Sequence, residues 1–195
     1  MRGAIFSSAS GVSSQVRTYN ATEPYRCTLV TIDLQSMIGW LNPLSRQSLE
    51  SSVGLTMSRT HFNVEIEHWL MRLIEDGDSD VNVILRHYDL DRERVLGDLN
   101  RVLDRLKTGN SRPPALSPNI VKLMREGWLL ASLQYGERQV RSGHLLVALL
   151  ADDTLAPMAR DASRQFDAIP ADSLRKDFAA ITGTSAEAKA VSAAT

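Results

Sequence analysis

Four histidines and a single cysteine are the residues of this 195-residue chain best suited to metal or nucleophilic chemistry. One cysteine, Cys27, excludes an internal disulfide and a cysteine-based zinc cage, and suits a reducing compartment. His61 and His68 stand seven apart, a spacing that shares one face of a helix, but Asn63 is read as starting the helix between them. His68 and His144 fall at matching places of an internal repeat described below. A metal pair is one reading of that match; a cap or packing residue on each of two structural helices is the reading adopted. Phosphate-cradling and hydrolytic motifs are absent: the chain contains no GxxxxGK[ST], GxSxG, HExxH or GxGxxG string, and no catalytic constellation emerges. Arg92, Arg94, Arg101, Arg105 and Lys107 form a basic row, but Asp91, Glu93, Asp98 and Asp104 interleave with it. The row is read as a solvated helix face; the alternative, a nucleic-acid contact, predicts salt-sensitive DNA binding.

The elements that must carry these residues belong to an ordinary globular chain. Lys and Arg number 22 against 23 Asp and Glu, a formal charge of −1 that implies no broad basic surface. Hydrophobic residues are 43% and charged residues 23%, enough for one domain or two very small ones. The longest apolar run, Leu145 to Ala151, is a core-helix length, far from the roughly 20 residues that span a bilayer. Residues 1–30 are Ser/Thr-rich without periodicity and are read as a disordered or misassigned leader. Residues 183–195, small and polar, are read as a linker toward a missing module.

From Thr31 onward helix punctuation recurs. Asp33 caps a helix over Leu34 to Leu41, with Leu34, Ile38 and Leu41 on one stripe. Asn42-Pro43 ends it and opens the next as N-cap and N1 proline, with Leu49, Val53 and Met57 as its inward stripe. Asn63 is expected to cap a third helix that turns Leu70, Leu73 and Ile74 inward. A short helix follows near Val81 to Tyr88, then one capped by Asp91 with Val95, Leu99, Val102, Leu103 and Leu106 on one face. Strand-like alternation is nowhere sustained, so the chain reads as all-α. Shifting the sequence by 76 residues superposes Glu50 on Glu126, Val64 on Val140, His68 on His144, Leu70 on Leu146, Leu73 on Leu149 and Asp76 on Asp152. Two pseudo-symmetric four-helix units, about 43–107 and 118–182, account for this. Arg112-Pro113-Pro114 separates them, and Ser117-Pro118 restarts the chain with another cap and N1 proline. Each unit is too small to bury much surface alone, so the two are expected to share a core.

Val64-Glu65-Ile66-Glu67-His68-Trp69-Leu70 in one unit and Val140-Arg141-Ser142-Gly143-His144-Leu145-Leu146 in the other resemble the Clp amino-terminal domain, which precedes the ATPase rings of Hsp100 (AAA+) unfoldases. Leu41-Asn42-Pro43, Gly109-Asn110-Ser111-Arg112-Pro113, Leu116-Ser117-Pro118 and Trp128 to Leu133 point within that family to the ClpV branch, the type VI secretion ATPases. The resemblance runs from about residue 31 to 182. It implies two Clp repeats plus an extra N-terminal helix, and a substrate-recognition role rather than an enzymatic one. The implied partner is the amphipathic amino-terminal helix of the sheath subunit called VipB or TssC, held in a hydrophobic groove between the first helix and the start of the second repeat. On that reading the groove is lined by Leu34, Ile38, Leu41, Leu44, Leu116, Ile120, Val121 and Met124, with Asn42 and Ser117 as polar rim groups that also fit plain capping. Charge reversal at Leu41 or Ile120 is then expected to abolish peptide binding and leave helical content unchanged. The resemblance further implies a cytoplasmic location, neither membrane nor nucleic-acid partners, and a monomeric isolated domain within a hexameric full-length protein. ATP and Mg belong to the missing ATPase modules, with no cofactor in this chain. The alternative is a ClpB- or ClpC-like adaptor module that takes degrons, adaptors or aggregated chains.

Overall fold

Local side-chain chemistry sets where the helices begin. In the computed structural model, which describes residues 33–193, Asp33 accepts the Ser36 amide and opens α1 (Leu34–Trp40). Asn42 accepts the Ser45 amide at 2.8 Å and, with Pro43 at N1, opens α2 (Pro43–Ser58). Ser79 caps α4 (Asp80–His87), Asp91 caps α5 (Arg92–Leu103), and Ser117 with Pro118 at N1 starts α6 (Pro118–Leu129). A single π turn, Leu130–Gln134, extends α6. After it come α7 (Ser142–Ala151), α8 (Leu155–Ala162), a 3₁₀ turn at Arg164–Ala168, α9 (Ala171–Lys176), α10 (Phe178–Thr182) and α11 (Ala186–Ala193). Among the described residues the fold is all-α apart from β1 (Asn63–Val64) and β2 (Ala115–Leu116), a parallel pair of two residues each. Strands that short have no alternation for a sequence to display.

Three expectations need correction. Asn63 does not cap a helix: it lies in β1, and α3 (Ile66–Glu75) starts two residues later with Glu65 as N-cap. His68 occupies the third helical position and its Nδ1 accepts the Glu65 amide at 3.0 Å, a role usually given to Glu or Gln. The inward face of α2 is not the stripe Leu49, Val53, Met57. Leu49 is buried, but Val53 is half-buried and Met57 is 56% exposed. The buried row is Ser45, Ser48, Leu49, Ser52 and Thr56, all but Leu49 small residues that let α3 approach closely. Two of these hydroxyls are satisfied within the helix, Ser52 donating to the Leu49 carbonyl at 2.6 Å and Thr56 to the Ser52 carbonyl at 2.8 Å. Third, residues 186–193 are a helix with Glu187 buried, where a linker was expected. The leader assigned to residues 1–30 lies outside the described residues.

Two helices form the middle of the core. α3 buries Ile66, Trp69, Leu70, Met71, Leu73 and Ile74 against α2 and α5, and the Trp69 indole donates to the Ser45 carbonyl at 3.2 Å. α7 is apolar all round and buries every residue from Ser142 to Leu150, because α6, α8, α4 and α9 surround it. The α4–α7, α5–α8, α1–α6 and α4–α10 contacts join the two halves of the chain into one hydrophobic cluster.

Candidate functional site

Of the residues expected to bind a ligand, Leu34 and Ile38 lie on α1 and Ile120, Val121 and Met124 on α6, two helices in contact at a seam; Leu41 and Asn42 follow α1, Leu44 lies on α2, and Leu116 and Ser117 lead into α6. α1 is seven residues long and buries only Met37 from within itself. It is secured at its C-terminal end. Leu41 is extended and pairs with Val140 as an isolated parallel bridge, with Val140 N–H donating to the Trp40 carbonyl at 2.7 Å and Asn42 N–H to the Val140 carbonyl at 2.9 Å. The Trp40 ring stacks on Trp128 of α6 with centroids 4.8 Å apart and planes 15° apart.

The seam separates the ten expected residues into two groups. Leu41, Ile120 and Met124 are closed to solvent and belong to the core, so charge reversal there attacks the fold rather than a ligand. Asn42 and Ser117 are likewise buried, and both cap helices: Asn42 caps α2, and Ser117 Oγ accepts the Ile120 amide. Leu34 is exposed, and Ile38, Leu44, Leu116 and Val121 are half-buried against the core; these five are the positions a ligand can reach. Trp40, Trp128 and Met37 were not among the expected site residues. Val121 and Trp128 are seven apart on one helix face, and that spacing is the signal that could have drawn Trp128 in.

Two of the four histidines, His68 and His144, are helix caps. His144 occupies in α7 the place His68 occupies in α3, its Nδ1 accepting the Arg141 amide at 3.2 Å. Burial pushes the His144 pKa down to about 3, with the Arg141 charge acting the same way. Burial followed by the neighbouring His61 pushes His68 down to about 4. His61 Nδ1 and His68 Nε2 are 2.9 Å apart, a buried pair that the sequence reading had kept apart. Among the described residues no group of three or more His, Cys, Asp or Glu side chains is placed to hold a metal.

A buried polar cluster lies behind the seam. Arg141 donates to Asp80 at 2.9 Å and to Thr182 at 2.8 Å, while Glu187 of α11 accepts from the Asn42 side chain at 2.6 Å, the Asp80 amide at 2.7 Å and the Ser142 amide at 2.8 Å. Burial and then the Glu187 charge push the Asp80 carboxyl up to about 7, against the pull of Arg141. The basic row on α5 is spent in part on ion pairs: Arg92 with Glu93 at 2.6 Å and Arg101 with Asp98, while Arg59, which follows α2, takes Asp104 at 2.7 Å. A cavity of about 550 Å³ between α6, the π turn and α7 is lined by Leu129, Leu130, Leu133 and Asp152 among others, and contains none of the ten expected residues.

Residues 41–161 match a known family, the Clp repeat (R) N-terminal domain. The chain belongs to that family. α1 precedes the matched span. The AAA+ ATPase ClpV1 of Pseudomonas aeruginosa is 30% identical over 152 residues, 78% of this chain, and the chaperone ClpB of Yersinia enterocolitica is 29% identical over 158 residues, 81% of this chain. The chain spans 17% and 18% of the lengths of these two relatives. A solved complex of a ClpV N-domain with a VipB peptide is 30% identical, with a TM-score of 0.71 over 86% of this chain and 99% of that one. This Clp N-terminal domain is of the substrate-binding kind, distinct from the catalytic ATPase domain. No described helix is long and apolar enough to cross a membrane.

Proposed function

We propose that this domain recognises the type VI secretion sheath for a ClpV-like ATPase, taking an amphipathic helix of the VipB/TssC subunit on the α1–α6 face. The observation that carries the reading is the set of partly accessible apolar side chains on and beside α1 and α6 (Leu34, Ile38, Leu44, Leu116 and Val121), together with a short helix that lies outside the repeat family's matched span. Its similarity to a ClpV N-domain solved with a VipB peptide supports the choice of partner. A helix laid into such a face anchors through residues at i, i+3 and i+4, and ordering it consumes much of the gain, so a single site binds at about micromolar strength. In the longer protein, six copies on a ring driven by ATP and Mg would raise avidity and disassemble contracted sheaths in the cytoplasm.

The test is fluorescence anisotropy with a labelled peptide copying the sheath subunit's amino-terminal helix from the same genome. Saturable binding is expected, and Leu34→Asp or Val121→Asp removes it while circular dichroism stays at wild-type level. Ile120→Asp, by contrast, buries an unpaired charge and loses helical signal. A folded chain that fails to bind up to high micromolar peptide refutes the reading. The 29% identity to ClpB over 158 residues favours a second reading, an adaptor module for unfolded or aggregated chains. Competition by an unfolded model protein separates the two.

A further inference from the structure

The buried carboxylate of Glu187 has a role that the peptide reading leaves unassigned. It is 3% exposed and accepts four hydrogen bonds, from the Asn42 side-chain amide, the backbone amides of Asp80 and Ser142, and the Ser142 hydroxyl. None of these donors is cationic, since Arg141 is engaged by Asp80 and Thr182. The donors come from the starts of three helices: Asn42 is the N-cap of α2, Asp80 the first residue of α4 and Ser142 the first of α7. Three positive helix ends therefore meet one negative charge. α11 is seated by two further contacts, Ser185 donating to Asp80 while accepting the Ala188 amide at 2.9 Å.

Three of the four donor groups, those of Asn42 and Ser142, flank the bridge that holds α1. Asn42 directly follows Leu41, Ser142 lies two residues past Val140, and Leu41 and Val140 are the bridge partners. Glu187 thus clamps both arms from behind. Asn42 cannot turn away to release it without giving up the Ser45 amide and the α2 cap. α1 buries only Met37 from within itself, and is held by this junction together with the Trp40–Trp128 stack on α6. We infer that Glu187 is a positioning residue for the α1–α6 face, coupling the docking of α11 to the placement of α1. The inference rests on the peptide-binding reading only for its functional consequence.

The experiment is hydrogen exchange by mass spectrometry on the whole chain without peptide, comparing wild type, Glu187→Gln and Lys189→Ala, the last an exposed α11 control. A glutamine keeps one acceptor but turns an NH₂ toward donors, so it does not substitute. Glu187→Gln should exchange about tenfold faster in segments 186–193 and 34–44, with 66–74 and 145–150 unchanged and Lys189→Ala like wild type. Acceleration of 186–193 alone overturns the coupling. Should Glu187→Gln accelerate the core segments as well, Glu187→Asp, which keeps the charge on a shorter arm, takes its place; a global effect there too makes Glu187 a general stability residue and ends the proposal. With the sheath peptide added, Glu187→Gln should weaken binding several-fold at unchanged core protection. A wild-type chain that binds no peptide refutes the functional reading and leaves the exchange result standing.

Discussion

The two capping histidines make a stability prediction whose size does not depend on how far their pKa values are depressed. His68 and His144 are fully buried, with pKa values of about 4 and about 3 against an unfolded value of about 6.5. Each accepts a backbone amide at Nδ1, so the ring proton sits on Nε2 and the neutral form is the one that caps. A histidine of this kind binds fewer protons folded than unfolded. Its contribution is complete above about pH 6.5 and is lost as the pH falls toward the folded values. At pH 5 both rings remain neutral in the folded chain, and the loss is set by the unfolded pKa alone: roughly 1.5 pH units at 1.36 kcal/mol each, about 2 kcal/mol per histidine. Asp80 acts in the opposite direction, because its folded pKa is raised and acidification favours the folded form. A comparison with variants cancels that contribution. His144→Asn, whose side-chain oxygen can take the Arg141 amide, should lower stability at pH 7 and also flatten the dependence between pH 7 and 5 by about 2 kcal/mol. At a urea m-value of about 2 kcal/mol/M, that is about 1 M less movement of the midpoint. Nuclear magnetic resonance of the ring protons checks the premise directly. A His68 or His144 ring that titrates near pH 6.5, or a His144→Asn chain with the wild-type pH slope, refutes the reasoning.

Two glycines predict opposite responses to the same substitution. At Gly143 an added methyl meets Phe178 Cε2 at 2.7 Å and Asp80 Oδ2 at 2.8 Å, both in buried residues with nowhere to go, so Gly143→Ala should cost about 1–3 kcal/mol in urea unfolding. Gly97 lies exposed within α5 with open space beyond it, and Gly97→Ala should gain up to about 1 kcal/mol in the same measurement.

The helix starts were legible because a cap is a local device. Asp33, Asn42, Asp91 and Ser117 each close a hydrogen bond to an amide two or three residues on, so residue type and spacing suffice to place them. The 76-residue match of His68 to His144 was informative for the same reason, since each returns to an amide three residues back. Legibility failed where the partner lies far along the chain or where burial does not follow hydrophobicity. Asn63 has a cap's side chain but pairs with Ala115 in a strand. Ser45, Ser48, Ser52 and Thr56 line a buried face that a search for apolar stripes passes over. Residues 183–195 have a linker's composition, yet Glu187 reaches donors 107 and 145 positions away. A carboxylate in an alanine-rich stretch gives no local sign of such partners.

The candidate face shows why periodicity alone groups residues that differ in their access to solvent. Spacing of i, i+3 and i+4 identifies apolar positions on one side of a helix, but that side includes both the floor, which packs on the core, and the edge, which a ligand can touch. On α6 the floor is Ile120 and Met124, and the edge is Val121, which shares its stripe with Trp128. On and just after α1 the floor is Met37 and Leu41, and the edge is Leu34 and Ile38. Each edge residue stands next to or within a turn of a floor residue, so a displacement of one position along the helix changes a ligand contact into a core contact. That places the discriminating mutations at Leu34 and Val121, where a new charge meets solvent or peptide, and takes them away from Leu41 and Ile120, where it meets the interior whatever the protein binds.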